Sequence, residues 1–496
     1  MPADYLSLNE CERLSVGNCS SISEPLGGFL IYRPLNANSQ GPVTVAVVGG
    51  GVSGLICARR LSQQGVQVTL FEAEPFLGGE IRTRTFAGHQ IDIGAEAVHI
   101  AAPGMMDLIR ELDLTETLIT SNPGMSWLWT ARGLRRLPAG VGPSGPRRLR
   151  PVLQSGIMSP RGLLRAALEP LIPRRALHGD IGIGDFVSQR FGRQVVERFI
   201  DPVLGSLHAG NVYKLSLRAI SPELSAIADS GASVMMSRRG GKSGPPLSFA
   251  TWVGGLSIFV DRLLAGTDVE VRMSSPVDSV MRLPSGRFQI QEASGVILKV
   301  DAVVLAIPAR IAAKLIHPLS AKAANTLEQI RYASVATALV AYPRESARNV
   351  RALDGTGLLV PSTCNRLLKA ATFLTTKWPH LADSNYFLMR LSSGRTDENI
   401  IDQLDDSALV ARLHSDLIDA TGITVEPLQY FVQRWPEAIP QLEIGHLDRI
   451  AQVREELESY PGVMLAGSSY EGLGIATCLR SGERAATSCV TLFSRS

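Results

Sequence analysis

A glycine-rich turn near the start of the chain is the first feature that could do chemistry. The letters Gly49-Gly-Gly-Val-Ser-Gly54 follow a β-branched run and precede apolar residues at helical spacing. This order predicts a strand, a tight turn and a helix. Gly49 permits the turn, Gly51 lets the backbone approach a pyrophosphate, and Gly54 lets helix and strand pack closely, while the N–H groups at the helix start face the phosphates.

An acidic residue follows the turn at a distance that suits a nucleotide ribose. The apolar run 66–71 predicts a second strand, which ends at Glu72. This residue lies about twenty positions after the glycines, where a carboxylate would accept hydrogen bonds from ribose hydroxyls. The pattern predicts a dinucleotide site. It leaves flavin and nicotinamide open, because both cofactors use this strand–helix–strand unit.

The residues after Glu72 resemble a known family. The letters Gly78-Gly-Glu-Ile-Arg-Thr83 and the loop 91–97 are similar to the extended signature of flavin amine oxidases. Segments similar to those of protoporphyrinogen and coproporphyrinogen oxidases follow in the same order, at 184–192, 202–216, 355–361, 377–379, 435–441, 445–447 and 469–478. The resemblance covers about 43–486, and it implies FAD as the cofactor and a porphyrinogen as the substrate.

The resemblance also implies which residues contact the cofactor and the substrate. It assigns FAD to Gly49, Gly50, Gly51, Val52, Ser53, Gly54, Glu72, Ala73, Gly79, Arg82, Gly94, Ala95, Glu96, Ala97, Val277, Leu473, Gly474 and Ile475. It assigns the substrate to Trp127, Arg132 and Leu358. We expect no metal and assign no catalytic side chain, since the flavin performs the chemistry, and we interpret His99, His208 and His446 as structural.

Two positions depart from the family pattern. Relatives often carry Lys or Arg after the paired glycines, whereas this chain has Glu80. A cation near the FAD phosphates is therefore either missing or supplied by Arg82. Some relatives place an arginine for a substrate carboxylate where this chain has Met125-Ser-Trp-Leu-Trp129. The residue that pairs with a substrate carboxylate is left open.

The elements that must position these residues predict an α/β protein with three parts. We expect a Rossmann-like FAD-binding domain of the two-dinucleotide-binding type, a substrate domain with a mixed sheet, and a helical subdomain. The predicted boundaries are 43–116, 226–318 and 440–496 for the FAD-binding domain, 117–225 for the arginine-rich helical subdomain, and 319–439 for the substrate domain. Residues 1–42 are mixed and polar, and we expect a disordered leader there.

The composition disfavours several classes of protein. With 49 Lys and Arg against 46 Asp and Glu, the net charge is +3, so bulk charge gives no reason to expect nucleic acid as a partner. The 6 cysteines show no C-x-x-C spacing, which disfavours a disulfide framework or a zinc site and favours a cytoplasmic protein. We identify no signal or transit peptide, and no apolar run reaches the roughly 20 residues of a spanning helix.

A basic stretch stands out against this balanced chain. No Asp or Glu occurs from Thr117 to Leu168, and the stretch contains Arg132, Arg135, Arg136, Arg147, Arg148, Arg150, Arg161 and Arg165. One interpretation is a peripheral contact with anionic lipid at the inner face of a membrane. A second is an electrostatic funnel for a substrate that carries carboxylates. The third is a helical cap whose arginines only face water.

The family resemblance implies an oxygen-dependent porphyrinogen oxidase of haem biosynthesis. Hydride would pass from the substrate to flavin N5, and molecular oxygen would reoxidise the flavin with release of hydrogen peroxide. The basic stretch favours coproporphyrinogen III over protoporphyrinogen IX. The alternatives are a flavin amine oxidase-like paralogue, for example in secondary metabolism, and a protein that acts by interaction alone. The sequence leaves monomer and homodimer open.

Overall fold

The structure is a computed structural model that describes residues 41–138, 141–142, 145–146, 149–173, 175–240, 248–348 and 350–494. The predicted strand before the glycine turn is part of a parallel sheet, and the predicted helix follows the turn. Apart from residues 41 and 42, the predicted leader lies outside the described residues, as do Arg147 and Arg148 of the basic stretch. The sheet has five strands in the spatial order Glu270–Arg272, Gln67–Phe71, Thr44–Val48, Ala302–Leu305 and Val463–Leu465. All of its pairings are parallel.

Helices cover both faces of this sheet, which explains why its strands read as continuous apolar runs. Val45 and Val47 point to the face covered by helices Val52–Ser62 and Ile475–Ser494. Ala46 and Val48 point to the opposite face, which is covered by helices Ala309–Ile316, Ala321–Glu328 and His446–Leu457. The predicted α/β class is confirmed, and the glycine turn lies at the carboxyl edge of the sheet.

A second, larger sheet contains antiparallel and parallel pairs, as expected for a mixed-sheet domain. Its seven strands lie in the spatial order Gln429–Pro440, Tyr332–Pro343, Tyr386–Ser393, Ala370–Phe373, Gly357–Leu359, Ser126–Thr130 and Gly133–Arg136. One face packs Leu339 and Leu388 against Ile91 of strand His89–Asp92. The other face packs against helix Asp406–Thr421 through Leu409 and Leu413.

The helical subdomain is built from short helices around a core of its own. They span Leu149–Ser155, Pro160–Ala167, Glu169–Leu171, Ile183–Phe191, Arg193–Val195, Val196–Gly205, Ser206–His208, Leu217–Ile220, Pro222–Asp229 and Val234–Gly240. Phe199 and Ile200 are fully buried at the centre of this core. No helix of the described residues is both long and apolar enough to cross a membrane.

Smaller elements connect the three parts. The remaining strands are Thr83–Phe86, His89–Asp92, Val98–His99, Leu118–Thr120, Val141–Gly142, Gly145–Pro146, Phe249–Trp252, Val277–Arg282, Phe288–Glu292 and Ile297–Val300. The remaining helices are Met105–Glu111, Ser257–Leu264, Arg344–Arg348, Arg351–Leu353, Ser362–Cys364, Leu374–Lys377, Pro379–Leu381, Ile400–Gln403 and Ser468–Glu471.

The structure differs from the predicted domain boundaries at both ends of the helical subdomain. Strand Ser126–Thr130 pairs with Gly357–Leu359, so residues 126–136 belong to the seven-stranded sheet and not to the helices. Leu224, Ala228 and Val234 pack together in the helical core, so the helical part continues past 225. The sequence misled at these points because a strand that pairs with a segment more than two hundred residues away carries no local sign of its partner.

A buried ion pair holds the helical subdomain together. Glu169 is 0% exposed, and its Oε1 accepts hydrogen bonds from Nε of Arg190 at 2.8 Å and from the N–H of Val234 at 2.9 Å. Ser233 Oγ donates to Oε2 of the same carboxylate. Burial opposes ionisation of Glu169, but the bonds from Ser233, Arg190 and two backbone N–H groups outweigh it and lower the pKa of Glu169.

We predict that Glu169→Ala destabilises the protein by about 3–5 kcal/mol, because it leaves Arg190 buried without its counter-ion. Urea unfolding followed by circular dichroism measures this loss. Glu197→Ala, which removes the partner of the exposed Arg193 on a neighbouring helix, should cost less than about 1 kcal/mol. Because the pKa of Glu169 is lowered, its contribution to stability should be lost as the pH falls through that pKa. Equal losses in the two variants would contradict the prediction.

Candidate functional site

Close backbone packing explains the first and last glycines of the turn. Gly49 has φ +107°, and a Cβ there would lie 2.4 Å from the carbonyl oxygen of Ala306 on the neighbouring strand. A Cβ on Gly54 would lie 1.9 Å from the carbonyl oxygen of Gly49. No side chain fits at either position, so the roles that the sequence predicts for these two glycines agree with their geometry.

The middle of the turn, in contrast, borders open space. A Cβ on Gly51 would meet no atom within 4 Å. The predicted second glycine pair lies beside it, since the N–H of Gly78 donates to the carbonyl oxygen of Gly50 at 2.8 Å, and a Cβ on Gly79 would approach only the Cα of Gly51. Two glycine segments therefore form an open cradle at the start of helix Val52–Ser62. Such a cradle fits a diphosphate, which needs close approach to backbone N–H groups.

Glu72 lies at the end of the second strand, as predicted, and its carboxylate is held by backbone. Its Oε2 accepts from the N–H of Gly50 at 2.7 Å, and its Oε1 accepts from the N–H of Glu74 at 2.8 Å. The N–H of Ser275 donates to the carbonyl oxygen of Glu72, which brings the strand that starts at Val277 to the same end of the sheet. Ala73 is exposed beside this carboxylate. The structure thus brings Glu72, Ala73 and Val277 together.

The predicted C-terminal contribution also reaches the turn. The hydroxyl of Ser53 donates to the carbonyl oxygen of Cys478 at 2.8 Å, so the starts of helices Val52–Ser62 and Ile475–Ser494 converge. A Cβ on Gly482 would lie 2.1 Å from the carbonyl oxygen of Ser53, which shows how closely the two helices cross. Leu473, Gly474 and Ile475 form the entry to the second helix. Their N–H groups and the helix dipole favour negative charge at this point.

The loop 94–97 joins the glycine cradle to the seven-stranded sheet. The N–H of Ala95 donates to the carbonyl oxygen of Glu80, and a Cβ on Gly94 would lie 1.8 Å from that oxygen. Glu96 Oε1 lies 2.6 Å from Nζ of Lys377 and accepts from the indole N–H of Trp378 at 3.0 Å. The side chain of Glu96 therefore contacts the short helix Leu374–Lys377 and the residue after it, and the backbone of the loop faces the cradle.

Sequence reasoning missed this cluster of charges. Arg390 contributes a second cation, 3.5 Å from Glu96, and its side chain is only 15% exposed. It lies on the same face of its strand as Leu388, which packs against Ile91. Burial opposes ionisation of Glu96, but Lys377 and Arg390 outweigh it and lower the pKa of Glu96. No local pattern announces the cluster, because Lys377 is 281 residues away in sequence.

Arg82 supplies a cation next to the paired glycines. Its Nε donates to the carbonyl oxygen of Gly79 at 3.2 Å, and its guanidinium lies 3.9 Å from the ring centre of Phe76. Part of the Glu80 side chain is exposed to solvent. Its carboxyl is nevertheless desolvated by neighbouring protein atoms, and this desolvation raises the pKa of Glu80 to about 7. The cradle thus contains one arginine and one carboxyl that is partly protonated near neutral pH.

The three predicted substrate residues are not brought together. Trp127 and Leu358 are neighbours on paired strands. Leu358 is 1% exposed in the core under helix Asp406–Thr421, which gives it a packing role and does not support a contact between its side chain and a substrate. The half-buried Trp127 has an indole N–H without a partner among the described residues. Arg132 is exposed at the turn of the hairpin Ser126–Arg136.

The buried histidines show no sign of a catalytic base. Burial lowers the pKa of His208 to about 4. The pKa of His446 is also about 4, chiefly because this residue is buried. Both rings are neutral near pH 7, and neither lies in the glycine cradle.

Known proteins are similar to this chain over most of its length. Residues 52–490 match the family model for flavin-containing amine oxidoreductases. The coproporphyrinogen III oxidase of Mycobacterium tuberculosis is 32% identical over 463 residues, which cover 90% of this chain and 98% of that protein. The coproporphyrinogen III oxidase of Bacillus subtilis is 29% identical and covers 92% of this chain and 100% of its own length. The chloroplastic protoporphyrinogen oxidase of Oryza sativa is 28% identical, with coverages of 87% and 85%.

Solved structures share the fold. One from Exiguobacterium sp. 255-15 has a TM-score of 0.80 at 28% identity and covers 90% of this chain and 98% of its own. A putrescine oxidase variant has a TM-score of 0.63 at 16% identity, with coverages of 92% and 100%, and shows the likeness of fold alone. The predictions of fold class, family and FAD are confirmed. The chain belongs to the flavin-containing amine oxidoreductases, groups within them with the protoporphyrinogen and coproporphyrinogen oxidases, and is an FAD-dependent oxidoreductase.

Proposed function

We propose that this protein oxidises a porphyrinogen, with coproporphyrinogen III preferred, in an oxygen-dependent step of haem biosynthesis. The observation that carries the proposal is that the likeness to coproporphyrinogen III oxidases covers the seven-stranded sheet and the helical subdomain as well as the glycine turn. When bound, FAD accepts a hydride at N5 and passes the electrons to molecular oxygen, which yields hydrogen peroxide. The role of the protein is to bind FAD and the substrate, to orient them relative to each other and to exclude water from the site.

The open cradle and its surroundings fit FAD. We propose that the diphosphate lies against Gly49–Gly54 and Gly79, with Arg82 as its cation, and that the adenosine ribose lies at Glu72 with Ala73 and Val277 beside it. The flavin ring then lies between the backbone of Gly94–Ala97 and the helix entry at Leu473, Gly474 and Ile475. The observation that supports this placement is the convergence of two helix starts on a cradle in which a Cβ at Gly51 would meet no atom of the described residues within 4 Å.

The preference for a ligand with carboxylates rests on the basic stretch and not on the charges around Glu96. Lys377 and Arg390 contact Glu96, and Asp92 also interacts with Arg390, so carboxylates of the protein balance these two cations. Arg132 is an exposed cation at the turn of the hairpin that carries Trp127, and we propose that these two residues line the entrance. Coproporphyrinogen III carries four carboxylates and protoporphyrinogen IX carries two, which is the reason for preferring the former.

We predict that coproporphyrinogen III bleaches the flavin absorbance of the anaerobic protein near 450 nm faster than protoporphyrinogen IX does. Stopped-flow absorbance measures both rates, and porphyrin fluorescence together with peroxide should appear when air is admitted. Faster bleaching by protoporphyrinogen IX would reverse the preference. Bleaching by neither substrate, with FAD bound, would favour the amine oxidase-like paralogue.

Gly51→Val provides the control for this experiment, because its side chain would enter the open cradle, where a Cβ meets no other protein atom within 4 Å. The purified variant should be colourless and inactive while keeping the secondary structure of the parent. A parent protein that is itself colourless and does not take up added FAD would support a role by interaction alone and contradict the proposal.

We predict that FAD binds about tenfold more weakly at pH 8 than at pH 6. Glu80 loses its proton as the pH rises through about 7, and the ionised carboxylate then repels the diphosphate of FAD. Quenching of flavin fluorescence during titration of the apoprotein measures the affinity. Glu80→Gln should remove this pH dependence. Glu328→Gln, at an exposed carboxyl on the opposite face of the parallel sheet, should retain it.

We also propose a cytoplasmic protein that contacts the membrane surface through its helical subdomain. Leu164, Leu168 and Leu171 are 63%, 43% and 78% exposed, and they follow one another at intervals of one helical turn. The exposed Arg161 lies on the same helix as Leu164, and the exposed Arg150 lies on the preceding helix Leu149–Ser155. Exposed leucines next to arginines suit an anionic lipid surface better than a cap that only faces water.

We predict that the double variant Leu164→Glu, Leu171→Glu binds vesicles containing phosphatidylglycerol at least about tenfold more weakly than the parent, because each leucine contributes about 1.5–3 kcal/mol on burial. Co-sedimentation measures the bound fraction, and uncharged phosphatidylcholine vesicles serve as reference. Val296→Glu, at a similarly exposed apolar residue just before strand Ile297–Val300, is the matched control. Absence of binding by the parent protein would reject the membrane contact.

A further inference from the structure

The two glycines of the helix entry at residues 472–475 do not restrict its backbone to one conformation. Gly472 has φ +118° and Gly474 has φ +101°, and glycine visits such conformations without strain and leaves them as readily. The turn nevertheless has to present Leu473 and Ile475 to FAD in one arrangement. A contact outside the turn must therefore fix it.

The segment before the turn is anchored at each end. The N–H of Gly467 donates to Oγ of Ser481 at 2.9 Å, and the hydroxyl of Tyr470 donates to the carbonyl oxygen of Ile307 at 3.1 Å. Glu471 is the last residue before the glycines. Its side chain is only 9% exposed, so the position of its carboxylate determines where the turn begins.

The carboxylate of Glu471 is clamped between two arginines from different helices. Oε1 lies 2.9 Å from Nη2 of Arg454 on helix His446–Leu457, and Oε2 lies 2.8 Å from Nη2 of Arg484 on helix Ile475–Ser494. Oε1 accepts a hydrogen bond from Arg454, whereas Oε2 and Arg484 form an ion pair without hydrogen-bond geometry. A shift of the carboxylate would therefore lose charged contacts on both sides. The carboxylate itself is largely buried, so moving it away from both arginines would leave it without a charged partner.

The clamp lies outside the cradle. Arg454, Glu471 and Arg484 line a cavity of about 510 Å³ next to the edge strand Val463–Leu465, and both arginine side chains are about half exposed there. Glu471 therefore acts on the cradle through the backbone and does not have to touch the cofactor. Its position in sequence alone, two residues before Leu473, gives no indication of the two arginines.

We propose that Glu471 is a positioning residue whose clamp by Arg454 and Arg484 sets the turn Gly472–Ile475 against the pyrimidine end of FAD. The fixed helix start then stabilises negative charge on the reduced flavin. The proposal rests on the proposed location of FAD but not on the identity of the substrate. An experiment on FAD alone therefore tests it even if no porphyrinogen is oxidised.

We predict that Glu471→Gln weakens FAD binding about tenfold, makes the reduction potential of the bound flavin more negative, and shifts its visible absorption bands. Fluorescence titration of the apoprotein, spectroelectrochemistry and absorption spectra measure the three quantities. A residue needed only for stability would change the melting temperature but leave the spectrum and the potential of the bound flavin unchanged. Unchanged FAD affinity, spectrum and potential in a folded Glu471→Gln protein would overturn the proposal.

Two further variants keep the test decisive. Glu456→Gln removes the partner of the exposed Lys322 from the same helix that carries Arg454, and it should leave all three quantities at parental values. Equal changes in Glu456→Gln and Glu471→Gln would refute a specific role for the clamp. If Glu471→Gln does not fold, Arg484→Gln removes one arm from a residue that is 59% exposed. This variant should weaken FAD binding about threefold, and an unchanged affinity would refute the clamp.

Discussion

The close approach of two backbone segments at the glycine turn constrains the rest of the site. The carbonyl oxygen of Gly49 occupies the space that a Cβ of Gly54 would need, and the carbonyl oxygen of Ala306 does the same for Gly49. Strand, turn and helix can approach this closely only without side chains. The contact sets the direction of helix Val52–Ser62. The positions of the second glycine pair, of Glu72 and of the last helix are then defined relative to that helix start.

Three polar links connect this turn to distant parts of the chain. Glu72 bonds the N–H of Gly50, and Ser53 bonds the carbonyl oxygen of Cys478, so two strands and two helices share one centre. Glu96 then joins the cradle to Lys377 and, through Arg390, to the seven-stranded sheet. A cofactor in the cradle would thereby have a fixed distance to the sheet that we propose faces the substrate. Preorganisation of this kind lets a site act mainly by orientation.

The sequence predicted the parts of this account that depend on local pattern. Gly49, Gly54 and Glu72 could be recognised because the turn, the helix start and the following strand are contiguous. The predicted boundaries failed at 126–136, where a strand pairs with Gly357–Leu359, and past 225, where helices share a buried core. The clamp on Glu471 and the charges around Glu96 also escaped prediction. Their partners come from other elements, and spacing along the chain carries no information about such pairs.

A crystal structure of the protein with FAD bound would show whether the glycine turn holds the cofactor. We expect the diphosphate within hydrogen-bonding distance of the backbone N–H groups at the start of helix Val52–Ser62, with the ribose at Glu72. We also expect the flavin ring between Gly94–Ala97 and the helix entry at Leu473–Ile475. A diphosphate bound away from the glycine turn, or a flavin ring outside those two segments, would contradict this placement of the cofactor.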